Sequence, residues 1–170
     1  MKIKKQGTGE IVDDFITKDM PDTSTIEDLA KGNFIHTPSV MYRYDPLVST
    51  TIAKMGILGV GDYLSHMLYA CNGKIMKLPD AMAIYRYGVG VWSSSIQSDN
   101  SKELQWLVAC SKLLPCIDNL MAKTNLDRQI SSCQKVIIDY LTQLSSVRQS
   151  HAYRLGKALL RPFSWIKRKF

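Results

Sequence analysis

Apolar and polar positions follow three different rhythms along the chain, and each predicts a different kind of element. The first 25 residues are polar and acidic (Asp13, Asp14, Asp19, Asp22), show little periodicity, and read as an extended, loop-rich lead-in. Ser24 or Thr25 then caps a short helix through Ile26-Glu27-Asp28-Leu29-Ala30, closed by Gly32. From Phe34 to Tyr44 the apolar residues Ile35, Val40, Met41 and Tyr42 surround Thr37-Pro38, the pattern of a strand with a turn or bulge at the proline. Gly61 precedes a helix from Asp62 to about Asn72, because Tyr63, Leu64, Met67, Leu68 and Cys71 recur at helical spacing. Asn72-Gly73 is a helix stop.

Two short strand-like runs follow, 74–78 and 81–87, separated by Pro79-Asp80. Beyond a polar loop over 93–101 the pattern becomes wholly helical. Asn100 with Glu103 three residues later forms a capping box for a helix reaching about Ala122, kinked at Pro115. A second helix carries Leu126, Ile130, Cys133, Ile137, Tyr140, Leu141 and Leu144 on one face. The pair predicts a helical hairpin packed on an α/β part. No internal repeat is present.

Composition narrows this picture. With 170 residues and 45% hydrophobic content, the chain is sized for one domain with a real core rather than two ordinary ones. No apolar run approaches the roughly 18–20 residues that span a bilayer. The basic start Met1-Lys2-Ile3-Lys4-Lys5 leads into Gln6-Gly7-Thr8-Gly9-Glu10, where a signal peptide would need its apolar stretch, so a cytoplasmic location is expected. Cys71, Cys110, Cys116 and Cys133 form no Cys-x-x-Cys pair and are expected as reduced core thiols.

The net charge of +7 sits at one end: acids and bases cancel up to Val147, and every one of the seven cations from Arg148 onward lacks an acidic neighbour in sequence. A neutral body with a basic tail argues against nucleic-acid binding by the body. In the tail, Leu155, Ala158, Leu159, Leu160, Phe163, Trp165, Ile166 and Phe170 alternate with cations, and Pro162 divides it into two amphipathic pieces. That composition suits an anionic membrane surface, where each cation contributes roughly 1 kcal/mol; a solvated basic terminus is the alternative.

Candidate chemistry is sparse. An aspartate at a helix opening, such as Asp62, is either a cap held by free N–H groups or a general base for a substrate hydroxyl, with Gly59 and Gly61 letting a ligand near the backbone. His36, His66 and His151 have no His or Cys at helical ligand spacing, which disfavours zinc. No phosphate-binding glycine loop, Gly-x-Ser-x-Gly or Asp-x-Asp occurs in the sequence.

One ordered set of segments resembles a known family. Gly32-Asn33-Phe34-Ile35-His36-Thr37-Pro38-Ser39-Val40-Met41-Tyr42-Arg43, Gly61-Asp62-Tyr63, Gly73-Lys74-Ile75, Met82-Ala83-Ile84-Tyr85-Arg86 and Gly90-Val91-Trp92-Ser93 together look like the second, acceptor-side half of a bacterial family 2 glycosyltransferase. The similarity runs from about residue 25 to 95, and Tyr153-Arg154-Leu155-Gly156-Lys157 is similar to the C-termini of such enzymes. The resemblance implies an α/β fold: a partial A-type glycosyltransferase domain over 1–95, a C-terminal helical hairpin over 96–149 and a basic amphipathic tail over 150–170. It implies that Asp62 is the catalytic base of an inverting sugar transfer and that Gly61, Tyr63, Tyr85, Arg86 and Trp92 contact substrate. The nucleotide sugar and a surface-glycan acceptor would be the parent enzyme's substrates, in polysaccharide biosynthesis at the inner face of the plasma membrane.

Two departures qualify that expectation. The family's Tyr-Arg pair precedes a histidine on the metal or diphosphate side, and here that position is Gly88. The nucleotide-binding half, with the Asp-x-Asp that holds manganese or magnesium, would lie before residue 1, so no cofactor is expected in this chain and a separate N-terminal half is an expected partner. The implied reading is a truncated enzyme, inactive alone; the alternative is a non-catalytic membrane-surface interaction protein.

Overall fold

The computed structural model describes residues 2–5, 7–13, 20–56, 60–87, 101–155 and 157. Within them the chain is mixed helix and strand, with helix dominant and the sheets small.

The lead-in is more ordered than its polarity predicts. Strand β1 (Lys2–Lys5) and strand β2 (Ile11–Asp13) pair antiparallel, with Ile3 opposite Val12, across a turn where Gly7 and Gly9 take positive φ. Three lysines in four residues hide the strand in the sequence, and its single inward side chain, Ile3, is fully buried. A short strand β3 (Thr23–Ser24) leads into α1 (Ile26–Leu29). Thr25 caps α1 as expected: its N–H and hydroxyl both donate to the Asp28 carboxylate, at 3.1 and 3.2 Å.

The segment 34–44 corrects the expected strand. Thr37–Ser39 form a single 3₁₀ turn with Pro38 inside it, and the flanking residues are irregular. The apolar positions there serve packing instead of a ladder, with Phe34 and Ile35 against the helical core. A helix then begins that the apolar rhythm does not announce, α2 (Pro46–Met55). Asp45 accepts from the Leu47 and Val48 N–H groups, proline occupies the first turn, and Gly56 ends the helix at φ 78°.

Helix α3 (Gly61–Ala70) matches its expected position, and Tyr63, Leu64, His66, Met67 and Leu68 are buried. Strand β4 (Ile75–Met76) pairs antiparallel with β3, and strand β5 (Ile84–Tyr87) pairs parallel with β1, giving a sheet of order β2-β1-β5. The expected runs 74–78 and 81–87 thus contain strands, each shorter than its run.

Helix α4 (Ser101–Leu113) stops well before Ala122. Pro115 ends it rather than kinking it: Leu114–Cys116 tighten into a 3₁₀ turn and Ile117 is extended. Asn119 then caps α5 (Leu120–Gln149), accepting from the Ala122 N–H at 2.9 Å. The two helices form the expected hairpin.

One core unites α1 to α5, drawing on Leu29, Tyr63, Leu64, Met67, Cys110, Leu113, Ile117 and Leu126. Polar links lock α5 to α1: Asn119 and Asn125 donate to the Glu27 side chain and carbonyl at 3.0 and 3.1 Å, and Gln129 donates to the Ala30 carbonyl. All four cysteines are free; Cys110 and Cys133 are buried as core thiols, whereas Cys71 and Cys116 are exposed, which corrects the expectation of core thiols for those two. Among the described residues no helix is long and apolar enough to cross a membrane. Of the basic segment 154–170, only Arg154, Leu155 and Lys157 are among the described residues.

Candidate functional site

The site is built on the opening turn of α3. Its N-cap, Val60, has no polar side chain, so the first N–H groups of the helix need another acceptor. Asp62 supplies one: its Oδ1 accepts from the Tyr63 N–H at 2.8 Å. Its Oδ2 accepts from the Thr37 hydroxyl at 2.6 Å, across a sequence separation of 25 residues. The 3₁₀ turn that replaced the expected strand is therefore what braces the carboxylate. Charged acceptors strengthen such bonds, and the helix dipole favours the anion. Asp62 is half-buried, and the two bonds leave further acceptor capacity on its carboxylate. Gly61 before it is uncrowded: a Cβ there would meet no atom of the described residues within 4 Å.

One turn along the same face lies His66, almost completely buried. Its Nδ1 is hydrogen-bonded to the Tyr42 hydroxyl, and the Tyr42 ring stacks on Tyr69 with centroids 4.3 Å apart. Burial pushes the His66 pKa down, against the opposing pull of the Asp62 charge and the Ile35 carbonyl. Burial, and then the same Asp62 charge, push the Tyr42 phenol well above its usual range. Which of the two donates in this bond follows the imidazole tautomer, since a phenol oxygen can give or accept a proton. The arrangement is a neutral hydrogen-bonded pair beneath a charged, accessible carboxylate.

The same turn ties in the sheet. His36, beside Thr37, packs its ring on Tyr85 of β5 with centroids 5.0 Å apart. Tyr85 stands opposite Ile3 and shares its inward face, whereas its neighbour Arg86 stands opposite Lys4 on the outer face and is exposed. Asp62, Gly61 and Tyr85 are thus drawn towards one region through residues 36–37, and Arg86 is directed away from it.

Tyr63 requires a correction. Instead of facing a substrate, it is fully buried, stacks on Trp106 at 4.4 Å and donates its hydroxyl to the Leu29 carbonyl at 3.2 Å. Successive helical residues diverge by about 100°, so the residue after an outward Asp62 turns into the core. Trp92, Gly59 and Gly88 lie outside the described residues. Thr37, Tyr42 and Tyr69 were not singled out from the sequence. The i,i+4 pairing of Asp62 with His66 was available there, but the Thr37 contact depends on a tertiary approach that no local pattern announces.

The family resemblance implies a divalent metal, and the described residues do not fit one: no three His, Cys, Asp or Glu side chains among them gather to hold an ion. Among the described residues of this site Asp62 is a carboxylate fixed by two hydrogen bonds, the kind of group that can accept a proton from a hydroxyl within reach.

Comparison with known proteins adds little to the chemistry. No protein-family model and no solved structure matches the chain. A 72-residue stretch is 35% identical to an uncharacterized protein of Mycobacterium bovis and to uncharacterized proteins of Mycobacterium tuberculosis strains CDC 1551 and H37Rv. The match covers 42% of this chain but 20% of each relative, so the chain meets about a fifth of the length of the curated relatives it resembles.

Proposed function

We propose that this chain supplies the acceptor side of a family 2 glycosyltransferase, an A-type glycosyltransferase domain whose nucleotide-sugar-binding half lies outside these 170 residues. The observation that carries the reading is the Asp62 carboxylate, held by Thr37 at an open helix start and backed by neutral His66 and Tyr42. In this reading Asp62 takes the proton of an acceptor sugar hydroxyl as that oxygen bonds to the anomeric carbon of the donor. The bond from that carbon to the nucleoside diphosphate breaks, the diphosphate keeps the electron pair, and configuration inverts. Tyr85 lines the acceptor side. In this reading the departing diphosphate is held by the donor-binding half, and transfer requires that half.

The test is reconstitution. Titrated by calorimetry with uridine-, guanosine- and thymidine-diphosphate sugars plus manganese, the chain alone is expected to give no heat of binding; micromolar binding would contradict a purely acceptor-side role. Co-expression with the polypeptide encoded immediately upstream is expected to yield transfer, and Asp62→Asn to lower it by about 100-fold or more, the usual weight of a positioned general base. A second reading, a non-catalytic interaction protein, draws on the exposed apolar residues of α5, including Leu141 and Val147. Transfer that survives Asp62→Asn would favour it.

A further inference from the structure

Helix α5 outruns everything described around it. At 1.5 Å per residue its 30 residues span about 45 Å, against about 20 Å for the 13 residues of α4. Leu126, Ile130, Cys133, Ile137, Tyr140, Leu144 and Val147 recur at alternating steps of four and three, the 3.5-residue period of a coiled-coil seam. The first half of that seam is used internally, with Leu126 and Cys133 buried and Ile130 packed against the core. After Cys133 no described side chain of α5 is fully buried: Ile137 and Leu144 are half-buried, while Tyr140 and Val147 are exposed, as are Val136 and Leu141 on either flank.

We propose that the seam from Ile137 to Val147 pairs, antiparallel, with the same seam of a second copy of this chain. Three features select that occupant. The seam continues without a break from one that already packs helix on helix, so its period is set for another helix. From Gln134 to Val147 the charged residues are Lys135 and Asp139, which helical spacing puts opposite the seam; their charges cancel, unlike the cation-rich polar face of a membrane-surface helix. Arg148 joins glutamines 134 and 143 on the flanks, and an antiparallel copy centred between Tyr140 and Leu144 sets it beside position 136, an uncharged valine, so like charges do not meet.

Orientation follows from the body. A parallel partner would run into the space that α1 and α4 fill beside Leu126 and Cys133, whereas an antiparallel one carries its body past the far end. A two-fold axis between Tyr140 and Leu144 sets Tyr140 against Leu144 and Ile137 against Val147, a self-complementary contact that closes on two chains. This inference is independent of the sugar-transfer reading.

Sedimentation equilibrium of the full chain tests it. The expected mass rises with concentration to twice 19.2 kDa. Leu144→Lys and, separately, Val147→Lys are expected to hold it at 19.2 kDa with an unchanged far-UV circular dichroism spectrum, while Thr142→Lys on the opposite face leaves the dimer intact. A wild-type monomer throughout the micromolar range overturns the proposal, as does a dimer that survives both seam variants. A monomer that sediments with phosphatidylglycerol vesicles, and loses this in Leu144→Lys, overturns it in favour of a lipid occupant. Dimerisation that appears only when residues 158–170 are removed overturns it in favour of the chain's own C-terminal segment.

Discussion

The helical body and the strand layer of this protein are stabilised very differently. Every member of the main core cluster lies in or beside α1 to α5, and its central side chains, Leu29, Tyr63, Met67, Leu113 and Leu126, are wholly shielded from water. In the sheet β2-β1-β5 the buried side chain is Ile3, while Ile11, Ile84 and Tyr87 are exposed. Helices can bury one stripe each against one another; three short strands need a second covered face or further strands to do the same. The difference teaches that, among the described residues, the helical body holds the core and the sheet buries little of its own. The candidate site joins them: Asp62 stands on the firm body, Tyr85 on the open sheet, and residues 36–37 connect the two.

The sharpest test of that contrast is Tyr63→Ala. Removing a fully buried aromatic that stacks on Trp106 is expected to cost about 3–5 kcal/mol, a large share of the roughly 5–15 kcal/mol of a typical domain. Urea denaturation should show the midpoint collapse. Tyr63→Phe keeps the ring and removes the hydroxyl that donates to the Leu29 carbonyl and accepts from Gln129, so it should cost about 1–2 kcal/mol. A small loss from Tyr63→Ala would mean that the helices do not share one core.

Ile3→Ala probes the other region. Its expected cost is about 2 kcal/mol, the low end for such truncations, because the exposed neighbours in the sheet can relax into the space. The effect should also be local. Hydrogen exchange is expected to quicken at the β1 and β5 amides while those of α3 and α4 keep their protection. Equal loss of protection in both regions would erase the distinction.

The pH response should come from the body side of the junction. His66 is buried neutral and its pKa is lowered, so the unfolded chain binds a proton at a higher pH than the folded one does. Its contribution is therefore fully present above the ordinary histidine value, about 6.5, and is lost as pH falls from there through the lowered folded value. Urea midpoints at pH 7.5 and 5.5 should reveal this slope, and His66→Gln should flatten it. A slope that persists in His66→Gln would assign it to other groups.

The sequence was most legible where local rules and tertiary packing agree. Helix α3 followed from its period, and capping chemistry narrowed the α1 cap to Ser24 or Thr25, of which the fold uses Thr25. The strand expected over 34–44 failed because its apolar residues pack singly against neighbours, Tyr42 on Tyr69 and Ile35 on the core, without alternation across a pleat. The signals for α2 were present in Asp45-Pro46 and Gly56 but lack a strong apolar stripe, and only Val48 and Met55 of that helix are buried. Strand β1 was masked by its lysines. Of the site, Asp62 was readable as an aspartate at a helix start, which is a local fact. Its bond to Thr37 and the stacking of His36 on Tyr85 arise from chain segments meeting far apart in sequence, and nothing in either segment encodes the meeting.

That junction is where the smallest effect is expected, and where it discriminates most. Thr37→Val keeps the side chain's shape and removes only the hydroxyl that donates to Asp62. The bond is partly exposed and water can replace it, so the loss of stability should be about 1 kcal/mol, below that of either core variant. Asp62 keeps the Tyr63 N–H as a donor but loses the contact that fixes its outer oxygen. If Asp62 were only a helix cap, the stability change would be the whole effect. If it is the base of a sugar transfer, Thr37→Val in the reconstituted enzyme should lower kcat by a further factor with little change in KM, because a misaligned carboxylate weakens the proton transfer more than acceptor binding. Thr37→Ser should recover most of that rate by restoring the hydroxyl. An unchanged kcat in Thr37→Val would leave the turn at 37–39 as a structural brace and return Asp62 to the role of a cap.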